Sequence, residues 1–83
     1  MKNATLRQLR VFASVARHLS FIRAAEELKL TAPAVSMQIK ELEAEVGLPL
    51  FDRTSRQVSL TMVGEYVLGH ARRVLRHGRS GGA

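Results

Sequence analysis

The side chains able to do covalent chemistry are few and scattered along this chain. Asp52 is the only aspartate, cysteine is absent, and the histidines are His18, His70 and His77. No serine sits in a glycine-flanked elbow, so no acid–base–nucleophile triad can be assembled. Without cysteine there are no disulfides and no thiolate metal sites. His70 and His77 fall two helical turns apart, but two imidazoles without a third ligand make a poor metal site, and both are expected to face solvent. The sequence therefore predicts no enzyme, no metal and no cofactor. A denser pattern is Thr31-Ala32-Pro33-Ala34-Val35-Ser36-Met37-Gln38-Ile39-Lys40. Ser36 and Lys40 are four residues apart, on the helix face that Val35 and Ile39 do not use. A hydroxyl and a cation on an exposed face suit hydrogen bonds to base edges or phosphates. Glu41, Glu43 and Glu45 come later in the segment, so acid is kept from its start.

The charge agrees with a polyanionic partner: thirteen Lys and Arg against seven Asp and Glu give a formal charge of +6 over 83 residues. A basic chain is also merely a soluble one, so position has to decide. With 46% apolar residues the chain is too hydrophobic for intrinsic disorder. No apolar run approaches the ~20 residues of a membrane helix, and Met1-Lys2-Asn3-Ala4-Thr5 leads into no signal-like core. These features predict a small globular domain in the cytoplasm, with no membrane partner.

Apolar periodicity supplies the elements that must position those residues. Leu6, Leu9, Phe12, Ala13 and Ala16 recur at steps of three and four, predicting a helix over 5–18. Ser20 caps a two-turn helix over 21–28. Lys29-Leu30 makes a tight connection, and Thr31 caps a third helix whose Pro33 is tolerated in the first turn. That helix buries Val35, Ile39, Leu42 and Val46, and it ends at Gly47 with Pro49 beyond. Residues 48–53 and 57–60 predict a small hairpin joined by Thr54-Ser55-Arg56. Thr61 caps a fourth helix from Met62, with the apolar stripe Val63, Val67, Ala71 and Val74. Glycine-rich residues 78–83 read as a flexible tail. The reader's core is expected from Leu9, Phe12, Ala24, Leu28, Val35, Ile39 and Leu42, with none from the stripe.

Two short helices joined by a tight turn, the second opening with small residues, match a helix-turn-helix whose second helix enters the major groove. The N-terminus of that helix also offers N–H groups and a partial positive charge to phosphate. Leu6-Arg7-Gln8-Leu9-Arg10-Val11-Phe12, Ser20-Phe21 with Ala24-Ala25, Ala32-Pro33-Ala34-Val35-Ser36, Gly47, Leu50-Phe51-Asp52-Arg53, and Leu60-Thr61 with Gly64 together resemble the DNA-binding domain of LysR-type transcriptional regulators. Within that family, Val15-Ala16-Arg17-His18 and Val35-Ser36-Met37-Gln38 look like the branch that controls Calvin-cycle carbon-dioxide-fixation operons.

The resemblance implies a mostly α fold: a winged helix-turn-helix over 1–61, a linker helix for dimerisation over 62–77, a tail over 78–83, and an effector domain outside this chain. It implies sequence-specific binding to double-stranded DNA. The expected contacts are Thr31, Ala32, Pro33, Ala34, Ser36, Met37 and Lys40 on the recognition helix, Ser20 and Arg23 on the second helix, and Arg53, Thr54 and Arg56 on the wing. Many family members carry glutamine at the place of Ala32 and arginine at that of Met37. Readout here is thus expected to lean on thymine methyls and DNA shape. Val63, Val67, Ala71 and Val74 are expected to form the homodimer seam, so that two recognition helices meet an interrupted palindrome. The full-length protein is expected to be a homo-oligomer that binds a small-molecule effector through its further domain. The rival reading is a dimerisation or protein-binding module without nucleic acid.

Overall fold

A computed structural model describes the backbone of residues 5–82 and the side chains of residues 5–76. In chain order the elements are α1 (Leu6–His18), α2 (Phe21–Leu28), α3 (Ala32–Val46), β1 (Phe51–Asp52), β2 (Ser59–Leu60) and α4 (Met62–Gly82). A hydroxyl caps each helix start, at Ser20, Thr31 and Thr61 as expected and also at Thr5. Thr5 accepts the Gln8 N–H at 3.0 Å while the Gln8 side chain accepts the Thr5 N–H at 3.1 Å, a reciprocal capping box. Ser20 accepts from Arg23 N–H, Thr31 from Ala34 N–H and Thr61 from Gly64 N–H.

The turns between helices are set by single left-handed residues. Leu19 (φ 50°) and Lys29 (φ 59°) close α1 and α2, and Gly47 (φ 89°) closes α3. At Lys29 the next residue, Leu30, donates its N–H back to Ala25 carbonyl at 2.9 Å, which closes α2 and lets the chain turn into α3 within three residues. Only Gly47 is the glycine that this geometry favours. After it, Glu43 accepts the Leu50 N–H at 2.8 Å and Thr61 donates its hydroxyl to the Pro49 carbonyl at 2.8 Å. The loop between α3 and β1 is thereby tied at both ends. The strands are shorter than the sequence predicts, two residues each, paired antiparallel with Phe51 opposite Leu60 and Asp52 opposite Ser59.

The core holds Leu9, Phe12, Ala24, Val35, Ile39 and Leu42 as expected, with Leu28 packed at its edge. Helix α1 contributes more than its predicted stripe: Val11 and Val15 are buried too, because α2, α3 and α4 all pack on it. Leu6, predicted for that stripe, is half exposed.

Two expectations for the last helix are corrected. Val67 is 3% exposed and Ala71 0%, and Val63 and Val74 pack half-buried at the edge of the same core, so the core draws on the stripe that was expected to lie outside it. The reason is geometric: α4 packs on α1, and its Gly64 closes onto the loop after α3. The outward face of α4 instead presents Met62, 87% exposed, and Tyr66, 78% exposed, one turn apart. The second correction is the helix end, because α4 runs past Gly78 to Gly82. Each residue added to a formed helix gains one more i→i−4 bond, so a glycine in the sequence is no obligatory stop. The flexible tail expected over 78–83, and the side chain of His77, lie outside the residues whose side chains are described.

Candidate nucleic-acid interface

The predicted contacts of α3 divide by exposure. Thr31, Pro33, Met37 and Lys40 are exposed, whereas Ala32, Ala34 and Ser36 are half-buried. Val35 and Ile39 point into the core, which fixes the rotation of α3 and holds Ser36 and Lys40 on its outer side. Met37, 59% exposed, is a flexible thioether facing out from the second turn.

The first turn of α3 offers less to an anion than the sequence suggested. Pro33 has no N–H, and Ala34 donates its own to the Thr31 hydroxyl at 3.2 Å. The N–H of Ala32 is what remains within that turn for an external acceptor. At α2 the cap takes the Arg23 N–H at 3.1 Å, and the N–H groups of Phe21 and Ile22 stay outside the internal ladder. Arg23 is exposed beside them and Ser20 is half-buried.

The wing is joined to this second helix start. Arg53, directly after β1, lays its guanidinium over the Phe21 ring, 4.1 Å from the centroid. Phe21 meets Phe51 edge-on at 5.7 Å, and Phe51 meets Phe12 at 5.4 Å, so an aromatic chain runs from the core out to Arg53. Asp52 builds the turn beyond. Its carboxylate accepts the Thr54 hydroxyl at 2.7 Å and the Thr54 N–H at 2.9 Å, and these two bonds hold it below the usual carboxylate range. Ser55 donates to the Gln57 carbonyl at 3.0 Å, while Arg56 stays exposed at the tip.

Three of the glutamates on α2 and α3 are engaged in structural bonds. Glu27 on α2 turns toward α1, where it accepts the Ser14 hydroxyl at 2.6 Å and His18 Nε2 lies at 2.9 Å, with Arg17 paired to its other oxygen. Those partners, Ser14 foremost, lower its carboxyl to about 2. Ser14 is buried because this bond satisfies its hydroxyl. Glu41 accepts from Gln8 Nε2 at 3.2 Å and Glu43 from Leu50 N–H. Neither ion pair of Glu27 draws on Arg23, Lys40, Arg53 or Arg56.

Of the residues singled out by sequence, Ser20, Arg23 and Arg53 are brought together at the start of α2. Thr31, Ala32, Pro33, Ala34, Ser36, Met37 and Lys40 line one side of α3, and Thr54 and Arg56 sit on the wing. Val67 and Ala71 are buried in the core, and Val63 and Val74 are half-buried at its edge. Sequence reasoning missed two positioning residues. Asp52-x-Thr54 is a recognisable local turn signature, so Asp52 was findable. Phe21 was not, because no spacing relates residues 21 and 53. Among the described residues no group of His, Asp and Glu could hold a metal ion, and no helix is long and apolar enough to cross a membrane.

Comparison with known proteins places this geometry. The profile of bacterial regulatory helix-turn-helix proteins of the lysR family matches residues 6–65. The HTH-type transcriptional regulator CfxR of Cupriavidus necator is 57% identical over 75 residues, 90% of this chain and 24% of that protein. A RuBisCO operon transcriptional regulator of Allochromatium vinosum is 56% identical over 72 residues, 87% of this chain and 24% of that protein. The chain thus spans about a quarter of the length of these curated relatives. Among solved structures, the CbnR DBD–DNA complex aligns with a TM-score of 0.85 at 38% identity, covering 93% of this chain and 90% of that one. The BenM DBD bound to catB site 1 DNA aligns with a TM-score of 0.88 at 37% identity, covering 92% and 84%. With more than half its length matched by the profile, the chain belongs to the LysR family of bacterial regulatory helix-turn-helix proteins.

Proposed function

We propose that this domain binds double-stranded DNA sequence-specifically as the reading head of a LysR-type transcriptional regulator in the bacterial cytoplasm, acting on carbon-dioxide-fixation genes. The observation that carries the reading is the face shared by α2, α3 and the wing. It presents Arg23, Lys40, Arg53 and Arg56, while Glu27, Glu41 and Glu43 are engaged in bonds to α1 or the α3–β1 loop. In this reading α3 enters the major groove. Ser36 and Met37 meet base edges, Met37 and Ala32 favour thymine methyls, and Thr31, Pro33, Ala34 and Lys40 line the groove wall. Ser20, Arg23 and Arg53 take a phosphate where the free Phe21 and Ile22 N–H groups point, and Thr54 and Arg56 lie on the backbone or minor groove. The solved DNA complexes of CbnR and BenM support the docking, and the names of the relatives from Cupriavidus and Allochromatium support the class of genes.

The proposal extends to assembly. Residues 62–77 act as a linker helix that joins two copies through its outward face, with Met62 and Tyr66 in place of the buried valine stripe. The dimer spans an interrupted palindrome, with recognition helices about 34 Å apart on one side of the duplex. A small-molecule effector acts through a further domain of the whole protein.

The test is fluorescence anisotropy on a duplex selected by footprinting genomic fragments, against a random duplex, over a salt series. Affinity for the selected site is expected to fall steeply with salt as counterions are released. Binding that ignores salt, or that does not separate the selected duplex from the random one, defeats the reading and favours a protein-binding module.

A further inference from the structure

The aromatic chain from the core to the wing has a consequence for affinity. We propose that Phe21 is a positioning residue for DNA binding: its ring holds the Arg53 guanidinium, already ordered, against the first turn of α2. Phe21 itself need touch no DNA.

The geometry supports this in three steps. At 4.1 Å from the ring centroid the guanidinium rests on the π face of Phe21, where an exposed cation is favoured by about two- to fivefold over its free rotamers. Phe21 in turn is held by the Phe51 ring edge-on, and Phe51 is buried against Phe12, so the platform is fixed to the core and does not drift with the wing loop. Second, the neighbouring carboxylate does not compete. Asp52 is engaged by both the hydroxyl and the N–H of Thr54, and among the described residues no carboxylate pairs with Arg53. Third, a guanidinium carries five N–H donors, so one seated over a ring with no carboxylate partner keeps donors for a phosphate fork. A long side chain ordered before binding loses less entropy on binding; for a single arginine that difference is about two- to tenfold in affinity.

The inference rests on the reading of Arg53 as a phosphate contact, and the experiment keeps the two apart. Affinity for the selected duplex and for a random duplex is measured for wild type, Phe21→Leu, Arg53→Ala, the double variant and Phe21→Tyr, well below each melting temperature. Phe21→Leu is expected to weaken both affinities about two- to fivefold. Phe21→Tyr, which keeps a ring under the guanidinium, restores them. In the Arg53→Ala background Phe21→Leu is expected to cost nothing further, because its effect runs through that arginine. Equal losses from Phe21→Leu with and without Arg53 overturn the inference and make Phe21 a packing residue. So does a Phe21→Leu variant that binds like wild type while Arg53→Ala is weak. If Arg53→Ala binds both duplexes like wild type, the phosphate reading of Arg53 falls and the inference with it.

Discussion

Two glycines on α4 should respond in opposite directions to the same substitution. A Cβ at Gly64 would lie 2.2 Å from the Leu50 carbonyl oxygen, 3.1 Å from its carbon and 2.9 Å from Leu60 Cδ2. The obstacle is backbone, and it is pinned. Leu50 is fully buried, its N–H is held by Glu43, and its carbonyl accepts the Thr61 N–H at 3.1 Å. Relieving the overlap means prying α4 from the α3–β1 loop, at the upper end of the roughly 1–3 kcal/mol that overpacking costs. Alanine's better helix propensity returns about 1 kcal/mol, so the net loss is about 2 kcal/mol. For a domain of this size that lowers the melting temperature by about 10 °C. At Gly69 the nearest atom to an added Cβ is the Arg73 guanidinium at 3.8 Å, an ordinary contact. There the propensity term stands alone, and Gly69→Ala should gain about 0.5–1 kcal/mol and raise melting by a few degrees, about 4 °C. Thermal melting followed by circular dichroism reads both. A Gly64→Ala variant as stable as Gly69→Ala would refute the close approach of α4 to Leu50.

The buried stripe and the outward face of α4 are separable. Val67→Glu, forcing a carboxylate into an apolar core, is expected to unfold the domain in a melting experiment at a cost of several kcal/mol. Tyr66→Glu should leave melting of the monomer within about 0.5 kcal/mol of wild type and lower the dimer fraction in sedimentation; an unchanged dimer fraction places the seam elsewhere. Ser36→Ala is expected to reduce the preference for one base while Arg53→Ala weakens specific and random duplexes alike. Equal losses on both duplexes for Ser36→Ala remove its base contact. Glu27 links stability to acid: its carboxyl is held at about 2 against 4.5 for the unperturbed group, so the unfolded chain binds the proton more tightly. Its stabilisation is complete above 4.5 and is lost as pH falls toward 2. Denaturant titrations between those values should show wild type losing more stability than Glu27→Gln, and parallel curves would contradict the bonds from Ser14, His18 and Arg17.

Much of the architecture was legible because its signals are local. A hydroxyl three residues before a backbone N–H caps a helix by a local bond, so Ser20, Thr31 and Thr61 marked three of the four starts, and apolar periodicity marked the first. Apolar residues three and four apart placed Val35, Ile39 and Leu42 on one face of α3, and that periodicity also fixed Ser36 and Lys40 on the other. The motifs from Leu6 to Gly64 are specific enough to indicate the family from sequence alone. The short strands were overextended because pairing ends where the two chains diverge, which depends on both at once.

What the sequence left open was which surface covers which. Periodicity says that Val63, Val67, Ala71 and Val74 share a face that must leave water, and nothing along the chain distinguishes a second copy from the chain's own α1. The tertiary path puts Val67 and Ala71 in the chain's own core, by bringing Gly64 against Leu50, and leaves Met62 and Tyr66 outside. The same holds for Arg53 on Phe21 and for Glu27 between Ser14, His18 and Arg17. Local sequence determined the helices, their caps and the charge of the reading face, because those follow from bonds between residues within one turn. Only the folded chain decided the partners of Phe21, Gly64 and the valine stripe, because burial and stacking act between residues that are distant in sequence and near in space.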